Sequence, residues 1–304
     1  MKFSITILGT NAALPGPDTI TTSLILNAHD QLYVFDCGEG MQSKLMKYGF
    51  KRNKIQSIFI SHLHGDHLFG LPGILTSFGH FQRSKPLHIY GPKGIKEYID
   101  VIMRLSHSYT EFELTITEIE HEDNRVIYED AKVKVSAFPL KHRITTYGFR
   151  LDEKPRSTNL IKEKLDEYRI TVDQIKEIIA CNDITIEGQT VSHEVFKYRK
   201  NAARSFAFCS DTVYHPDIIP YIKHVDILYH ESTYITSLEG KATLYGHSTA
   251  AQAAEMAQLA EAKKLVLGHF SVRYEVKHAF REDAEEVFNP VVIAEEGLEI
   301  EVKN

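Results

Sequence analysis

Tryptophan is absent from this chain and cysteine is scarce, with three among 304 residues. Cys37, Cys181 and Cys209 lie too far apart to make a Cys-x-x-Cys pair, which excludes a zinc ribbon and a disulfide framework and fits a reducing compartment. No apolar run approaches the roughly 18 residues a membrane span needs, and the opening MKFSITILGTNAALPG is interrupted at Gly9, Thr10 and Asn11. A cytoplasmic protein with no membrane segment is therefore expected. Internal repeats and low-complexity tracts are also missing, so neither a solenoid nor a disordered chain fits. An excess of positive charge is lacking too. The 35 Lys and Arg stand against 41 Asp and Glu, and the net charge of -6 argues against nonspecific coating of nucleic acid while leaving room for a local basic patch.

What the chain does have is 43% hydrophobic and 25% charged residues, an ordinary globular balance, and a surplus of 16 histidines. Runs such as FSITILG, LYVFD, SIFIS, LHIYG, VKVSAF, SFAFCS, DILYH and KLVLGH read as strands. Helical periodicity falls between them, at 41–48, 72–79, 92–105, 216–223, 248–262 and 275–286. This interleaving predicts an α/β architecture with ligands gathered where strands end. Residues 151 to about 200 break the rhythm, and LIKEKLDEYRI and TVDQIKEIIA predict two short amphipathic helices, the second opened by a capping box of Thr171 and Gln174. The organisation expected is one domain over 1–304 carrying an inserted helical arm. The arm runs on into KYRKNAAR, where Lys197, Arg199, Lys200 and Arg204 surround Tyr198, either as a solvated turn or as a grip on a phosphate backbone.

Residues 57–73, SIFISHLHGDHLFGLPG, concentrate the chemistry. After a β-rich run, His62, His64, Asp66 and His67 crowd around Gly65, and each binds a borderline divalent metal through nitrogen or oxygen. In a loop at a strand end, His62 and His64 can face one way and Asp66 and His67 the other, so one loop can feed two metals. A lone histidine such as His29 or His88 reads as an ordinary surface or core residue. Burying four such groups together without a cation would be costly. Four ligands cannot saturate two metals, and further candidates also follow apolar strands: His142, Asp211 and His269. Each alone is as readily an ordinary residue; their shared placement favours one site.

The pattern His-x-His-x-Asp-His, with a later His, Asp and His, resembles the metallo-β-lactamase superfamily, whose fold is an αββα sandwich with two metals at the sheet edges. That resemblance implies one metal on His62, His64 and His142, the other on Asp66, His67 and His269, and Asp211 with a hydroxide between them. Because Asp211 rather than Cys209 takes the strand-end position, the site looks more like that of dinuclear phosphodiesterases than of lactam hydrolases. Three further stretches resemble the ribonuclease Z branch: ITILGTNAALPG followed by LYVFDCGEGMQ, HEST at 230–233, and GHST at 246–249. The resemblance spans almost everything outside the arm. It implies a homodimeric endoribonuclease with two Zn2+ per subunit, Mn2+ or Fe2+ being alternatives, that cuts 3′ trailers from precursor tRNA and leaves a 3′-hydroxyl and a 5′-phosphate.

His247 precedes a strong helix former whose expected N-cap is Ser248, and a free helix N-terminus would welcome phosphate. His247 is expected to bind the scissile phosphate or protonate the leaving oxygen, with Glu231 orienting it and raising its pKa, and with His230 close by. The family implies a second task for Asp66, taking the proton of the attacking water. Ser61 and Cys209 read as structural, and Gly38, Gly40 and Gly65 as turn-formers. The arm departs from the family, since ITVDQIKEIIACNDITIEGQ has no Gly-Pro pair, so it reads as a variant tRNA-gripping exosite or a dimer contact. The competing readings are a small-molecule phosphodiesterase of the same superfamily and an inactive RNA-binding subunit. HEST, GHST and the long arm weigh against the first, and the full set of seven ligands against the second.

Overall fold

The computed structural model describes residues 2–120, 124–155, 158–198 and 202–303. They form two compact units, Met1–Glu153 with Arg204–Lys303, and Lys154–Ala203. The larger unit holds two seven-stranded sheets. The first runs Glu299–Glu301, Phe3–Gly9, Ser23–Ala28, Gln31–Phe35, Ile55–Phe59, Leu87–Pro92, Leu114–Ile119, and its last four strands are parallel. The second runs Val291–Ile293, Leu265–Gly268, Ile227–Glu231, Ser205–Cys209, Thr146–Glu153, Val133–Leu140, Arg125–Glu129, with its first four parallel.

Strand alternation explains the layering. Phe3, Ile5, Ile7, Leu24, Leu26, Tyr33, Phe35 and Phe59 enter the apolar layer shared with the second sheet. Their neighbours Leu8, Ile25, Leu32, Val34, Ile55 and Ile58 enter a separate layer, covered by the helices Met41–Lys47, Leu71–His80 and Ile95–Leu105. Successive side chains point to opposite faces, so near-continuous apolar runs bury a sheet on both sides. The helices Ala250–Leu259 and His278–Glu285 cover the second sheet through Ala250, Ala253, Met256, Ala257 and Phe280. The result is the α/β arrangement expected, helix, sheet, sheet, helix. Between the sheets Phe35 is the hub, with ring centroids 5.3 Å from Phe59 and Phe206, 5.8 Å from Phe208 and 6.1 Å from Phe149.

Helix positions match the periodicity to within a few residues, whereas several strands carry no clear signal in the sequence. Thr146–Glu153 contains Gly148 and four charged or polar positions, and it is held as a strand by its neighbours. Gly148 lies opposite Phe138, and a Cβ there would come within 2.4 Å of the Phe138 ring. Leu114–Ile119 and Arg125–Glu129 are sheet edges whose outward positions are polar, and Val291–Ile293 and Glu299–Glu301 are three residues each. No helix among the described residues is long and apolar enough to cross a membrane.

The smaller unit has the two expected helices, Lys162–Glu167 and Val172–Ile179, and the capping box of Thr171 and Gln174 is formed. It also contains a hairpin, Ile184–Ile186 with Gln189–Val191, turning through Glu187 and Gly188 at positive φ, and a short pair of Asn159–Leu160 with Lys197–Tyr198. Ile178, Ile184 and Phe196 form its core. Its start is later than residue 151, because strand pairing continues through Glu153. Arg199 and Lys200 lie outside the described residues. Arg204 does not belong to an exposed basic run: it is buried in the larger unit, where its guanidinium donates to both oxygens of Glu153.

Because Phe35 touches four phenylalanines across both sheets, Phe35→Ala should lower unfolding free energy by about 3–5 kcal/mol in urea titration. A loss below about 1 kcal/mol would show that the hub is not a principal contact of the core.

Candidate metal centre

Parallel strands end on one side of the two sheets, and that shared edge collects the polar residues. From the first sheet come Asp36, just past Gln31–Phe35, and the segment from Ser61 to His67 that follows Ile55–Phe59 and ends in the short helix Gly65–Leu68. From the second come Asp211 beyond Ser205–Cys209, Glu231 at the end of its strand, and His269 beyond Leu265–Gly268. His142 follows Val133–Leu140. All seven candidate ligands meet there, in two groups, His62, His64, His142 and Asp211, and Asp66, His67 and His269, which a third group of Asp211, His247 and His269 links.

The rings are aimed by hydrogen bonds on their outer nitrogens. His62 Nδ1 is 2.9 Å from Ser61 Oγ, His67 Nδ1 is 2.7 Å from Asp36 Oδ2, His142 Nδ1 is 2.7 Å from the Gly246 carbonyl, and His269 Nδ1 is 2.9 Å from Thr233 Oγ1. Each therefore turns Nε2 inward, while His64 turns Nδ1 inward. The inner nitrogens crowd: His62 Nε2 to His64 Nδ1 is 3.0 Å and His67 Nε2 to His269 Nε2 is 3.2 Å. Asp211 spans the two groups. Its Oδ2 lies 3.6 Å from His62 Nε2 and 3.8 Å from His142 Nε2, and its Oδ1 lies 3.2 Å from His269 Nε2 and 3.4 Å from His67 Nε2.

The donor set fits metal ions. Asp211 Oδ1 is buried and has no hydrogen-bond partner among the described residues, an expensive state for a carboxylate that nothing else would share. Burial lowers the pKa of His62, His64 and His142, keeping their rings neutral as a ligand must be. At His67 burial again opposes charge, but Asp211, Asp66 and Asp36 outweigh it and raise the pKa. Burial would raise the Asp66 and Asp211 carboxyls, yet the surrounding imidazoles hold both well below the usual carboxylate range.

Beside this cluster, His247 Nδ1 is 3.1 Å from Glu231 Oε1 and 3.9 Å from Asp211 Oδ2. Burial lowers the imidazole pKa, but Glu231 and then Asp211 overcome it and bring it up to about 9. Glu231 is itself fully buried and accepts from the backbone N–H groups of Thr212, Thr233 and Ser248 and from Thr233 Oγ1. Two expectations for this corner change. The N-cap of Ala250–Leu259 is Thr249, whose capping box with Gln252 is complete, whereas Ser248 is held by Glu231 and the Thr212 carbonyl. The helix N-terminus is not open to phosphate, because Tyr234, Asp283 and Thr249 already accept from its first N–H groups. His230 Nδ1 donates to the Glu231 carbonyl at 2.7 Å, and strand alternation turns its side chain to the face opposite that of Glu231.

Three residues of the site were passed over or called merely structural in sequence: Asp36, Ser61 and Thr233. Asp36 holds His67 and also accepts from the Ser61 N–H and Oγ. Asp36 stands in LYVFDCGEG at a strand end, the same signal that marked Asp211 and His269. Above the centre is a cavity of about 680 Å³ bordered by Asp66, His64, His142, His247, Arg143 and Arg273, with apolar and aromatic residues at its mouth.

The chain was compared with known proteins. A family model described as anti-Pycsar protein Apyc1 matches residues 3–196. The ribonuclease Z of Bacteroides thetaiotaomicron is 38% identical over 304 residues, covering all of this chain and 96% of that protein. The short form of human tRNase Z has a similar structure, with a TM-score of 0.71 at 30% identity and 98% of both chains covered. A metallo-β-lactamase fold protein from Bacillus subtilis matches at a TM-score of 0.70 with 19% identity, over 99% of this chain and 100% of its own, a likeness of fold.

Asp36→Asn keeps the size of the side chain but removes the anion behind His67. It should weaken metal binding about 10- to 100-fold in competition with a chromophoric chelator. Unchanged affinity would mean that the Asp36–His67 contact does not tune the centre.

Proposed function

The chain belongs to the ribonuclease Z family and, through residues 3–196, to that of the anti-Pycsar protein Apyc1, and from this membership we propose that it removes 3′ trailers from precursor tRNA as a zinc-dependent endoribonuclease. The observation that carries the reading is Asp211, which offers one oxygen to each of two histidine groups and borders the same cavity as His247, the partner of buried Glu231. In this proposal His62, His64 and His142 would hold one zinc and Asp66, His67 and His269 the other, with Asp211 available to both; manganese or iron would suit the same donors. Such a pair supplies Lewis acidity that activates water and offsets charge on the phosphate oxygens.

The chain's own groups divide the proton work. Asp66 is anionic, with Oδ2 accepting from the Ala13 N–H, and takes the proton of the attacking water. Its low basicity favours passing that proton on over keeping it. On the other side His247, protonated at neutral pH, delivers a proton to the leaving 3′-oxygen, while Glu231 fixes its orientation. The products are a tRNA 3′-hydroxyl and a trailer 5′-phosphate. Since about 680 Å³ admits only the nucleotides flanking the cut, the rest of a tRNA must dock elsewhere, and the Lys154–Ala203 unit is the proposed exosite. A cytoplasmic homodimer completes the reading by family membership.

Purified protein supplied with zinc should cut a precursor tRNA at the trailer junction and stop when a chelator is added. His64→Ala and His247→Ala should each lose at least about 100-fold in rate while remaining folded. Normal cleavage by either variant would sink the assignment of the site, and turnover of small phosphodiesters without any cleavage of precursor tRNA would favour a small-molecule phosphodiesterase.

The pH profile supplies a separate check. The acid form of His247 is the active one, so rate falls as pH rises through its pKa. Glu231→Gln removes the charge that raises this pKa and should move the alkaline limb to lower pH, with the acid side of the profile unmoved. An alkaline limb that stays in place would separate His247 from proton delivery. Deleting residues 155–195 should impair cleavage of precursor tRNA far more than hydrolysis of a small phosphodiester, and equal losses would assign the arm to folding or dimerisation.

A further inference from the structure

Phe69 is a large aromatic residue left 60% exposed, and it stands at the mouth of the cavity over the metal centre. It directly follows Gly65–Leu68, the turn that carries Asp66 and His67. Its ring rests against Gly65 so closely that a Cβ on that glycine would come within 2.2 Å of it. The missing side chain thus lets the ring settle on the backbone of the ligand loop, with one side supported and the rest open. Leu14, Tyr245 and Val272, all exposed, border the same mouth. A charged floor below an apolar, aromatic lip matches a nucleotide, whose phosphate is anionic and whose base presents a π face.

We propose that Phe69 is the stacking platform for the base of the first trailer nucleotide, the one on the 3′ side of the scissile phosphate. The inference rests on the trailer-cutting reading and deepens it by placing one substrate group. Direction decides which base is meant. His247 serves the leaving 3′-oxygen, so the nucleotide bearing that oxygen lies on the side of His247 and its neighbour Tyr245. The remaining nucleotide leaves the phosphorus past the loop of Asp66, where Phe69 stands. Stacking on a ring already supported by Gly65 costs little side-chain entropy and accepts any base, with purines favoured by their larger face.

A cycle between the ring and the base tests the proposal. Substrates are an intact precursor tRNA, one with an abasic first trailer nucleotide, and one with an abasic last tRNA nucleotide, each cut by the unmodified enzyme, Phe69→Ala and Phe69→Tyr. On the intact substrate Phe69→Ala should lose about tenfold in kcat/KM and Phe69→Tyr should restore it. Removing the first trailer base should cost the unmodified enzyme a similar factor and cost Phe69→Ala nothing more. If the two losses multiply, or if coupling appears at the last tRNA nucleotide instead, the stacking assignment is overturned while trailer cutting stands. If the unmodified enzyme cuts no precursor tRNA, the functional reading itself falls and takes the platform with it.

Discussion

A buried carboxylate, one of whose oxygens accepts no hydrogen bond from the described residues, sets the terms for the rest of this molecule. Asp211 lies between four imidazoles contributed by three separate segments, and its two oxygens divide them. Without compensation, so dense a buried cluster of charge and polarity would unfold the edge of the sandwich or force protons onto it. In the chain alone Asp211, Asp66 and Asp36 push the His67 pKa up, favouring its cationic form against the burial that opposes it. Divalent cations would supply the compensation better, since they satisfy the orphan oxygen and relieve the contacts between inner nitrogens together.

Meeting that constraint explains why the fold places its parallel strands as it does. Parallel strands send their C-terminal ends to one edge, and both sheets contribute such ends to the same place. The apolar layers on both faces of the sheets make those strands rigid, so His62, His142 and His269, one to three residues past a strand, and His64 and His67, at the short helix that follows, are held to a fixed aim. Asp36, Ser61, Thr233 and the Gly246 carbonyl then lock the outer nitrogens. The same Glu231 that aims His247 is bonded to three backbone N–H groups, which ties that imidazole to the end of a strand.

Much of this was legible beforehand because the ligand loop is local. His62, His64, Asp66 and His67 lie within six positions, and a residue just past an apolar strand is identifiable by pattern, as His142, Asp211 and His269 were. Less was legible where meaning depends on a distant partner. Ser248 and Thr249 are both good caps in sequence, and Glu231 decides between them by holding Ser248. Asp283, some thirty residues along the chain, fills the helix N-terminus that looked free for phosphate. Arg204 read as part of a basic run until Glu153, across the neck of the arm, paired with it.

Local sequence was enough for the alternation that buries both sheets, the helices between strands, the seven residues that meet at the candidate metal centre, and the family. These follow from short-range periodicity and from residue types that have few alternatives once they cluster. Only the tertiary structure decided that Asp211 faces both histidine groups, that Asp36 stands behind His67, that the helix N-terminus is closed, and that Phe69 rests on Gly65 at the cavity mouth. The first depends on where strands from different sheets end in space, and the others on how side chains settle once their elements have packed. The direction of a side chain at that junction is set by long-range packing and by the cost of burying charge, neither of which a local pattern records.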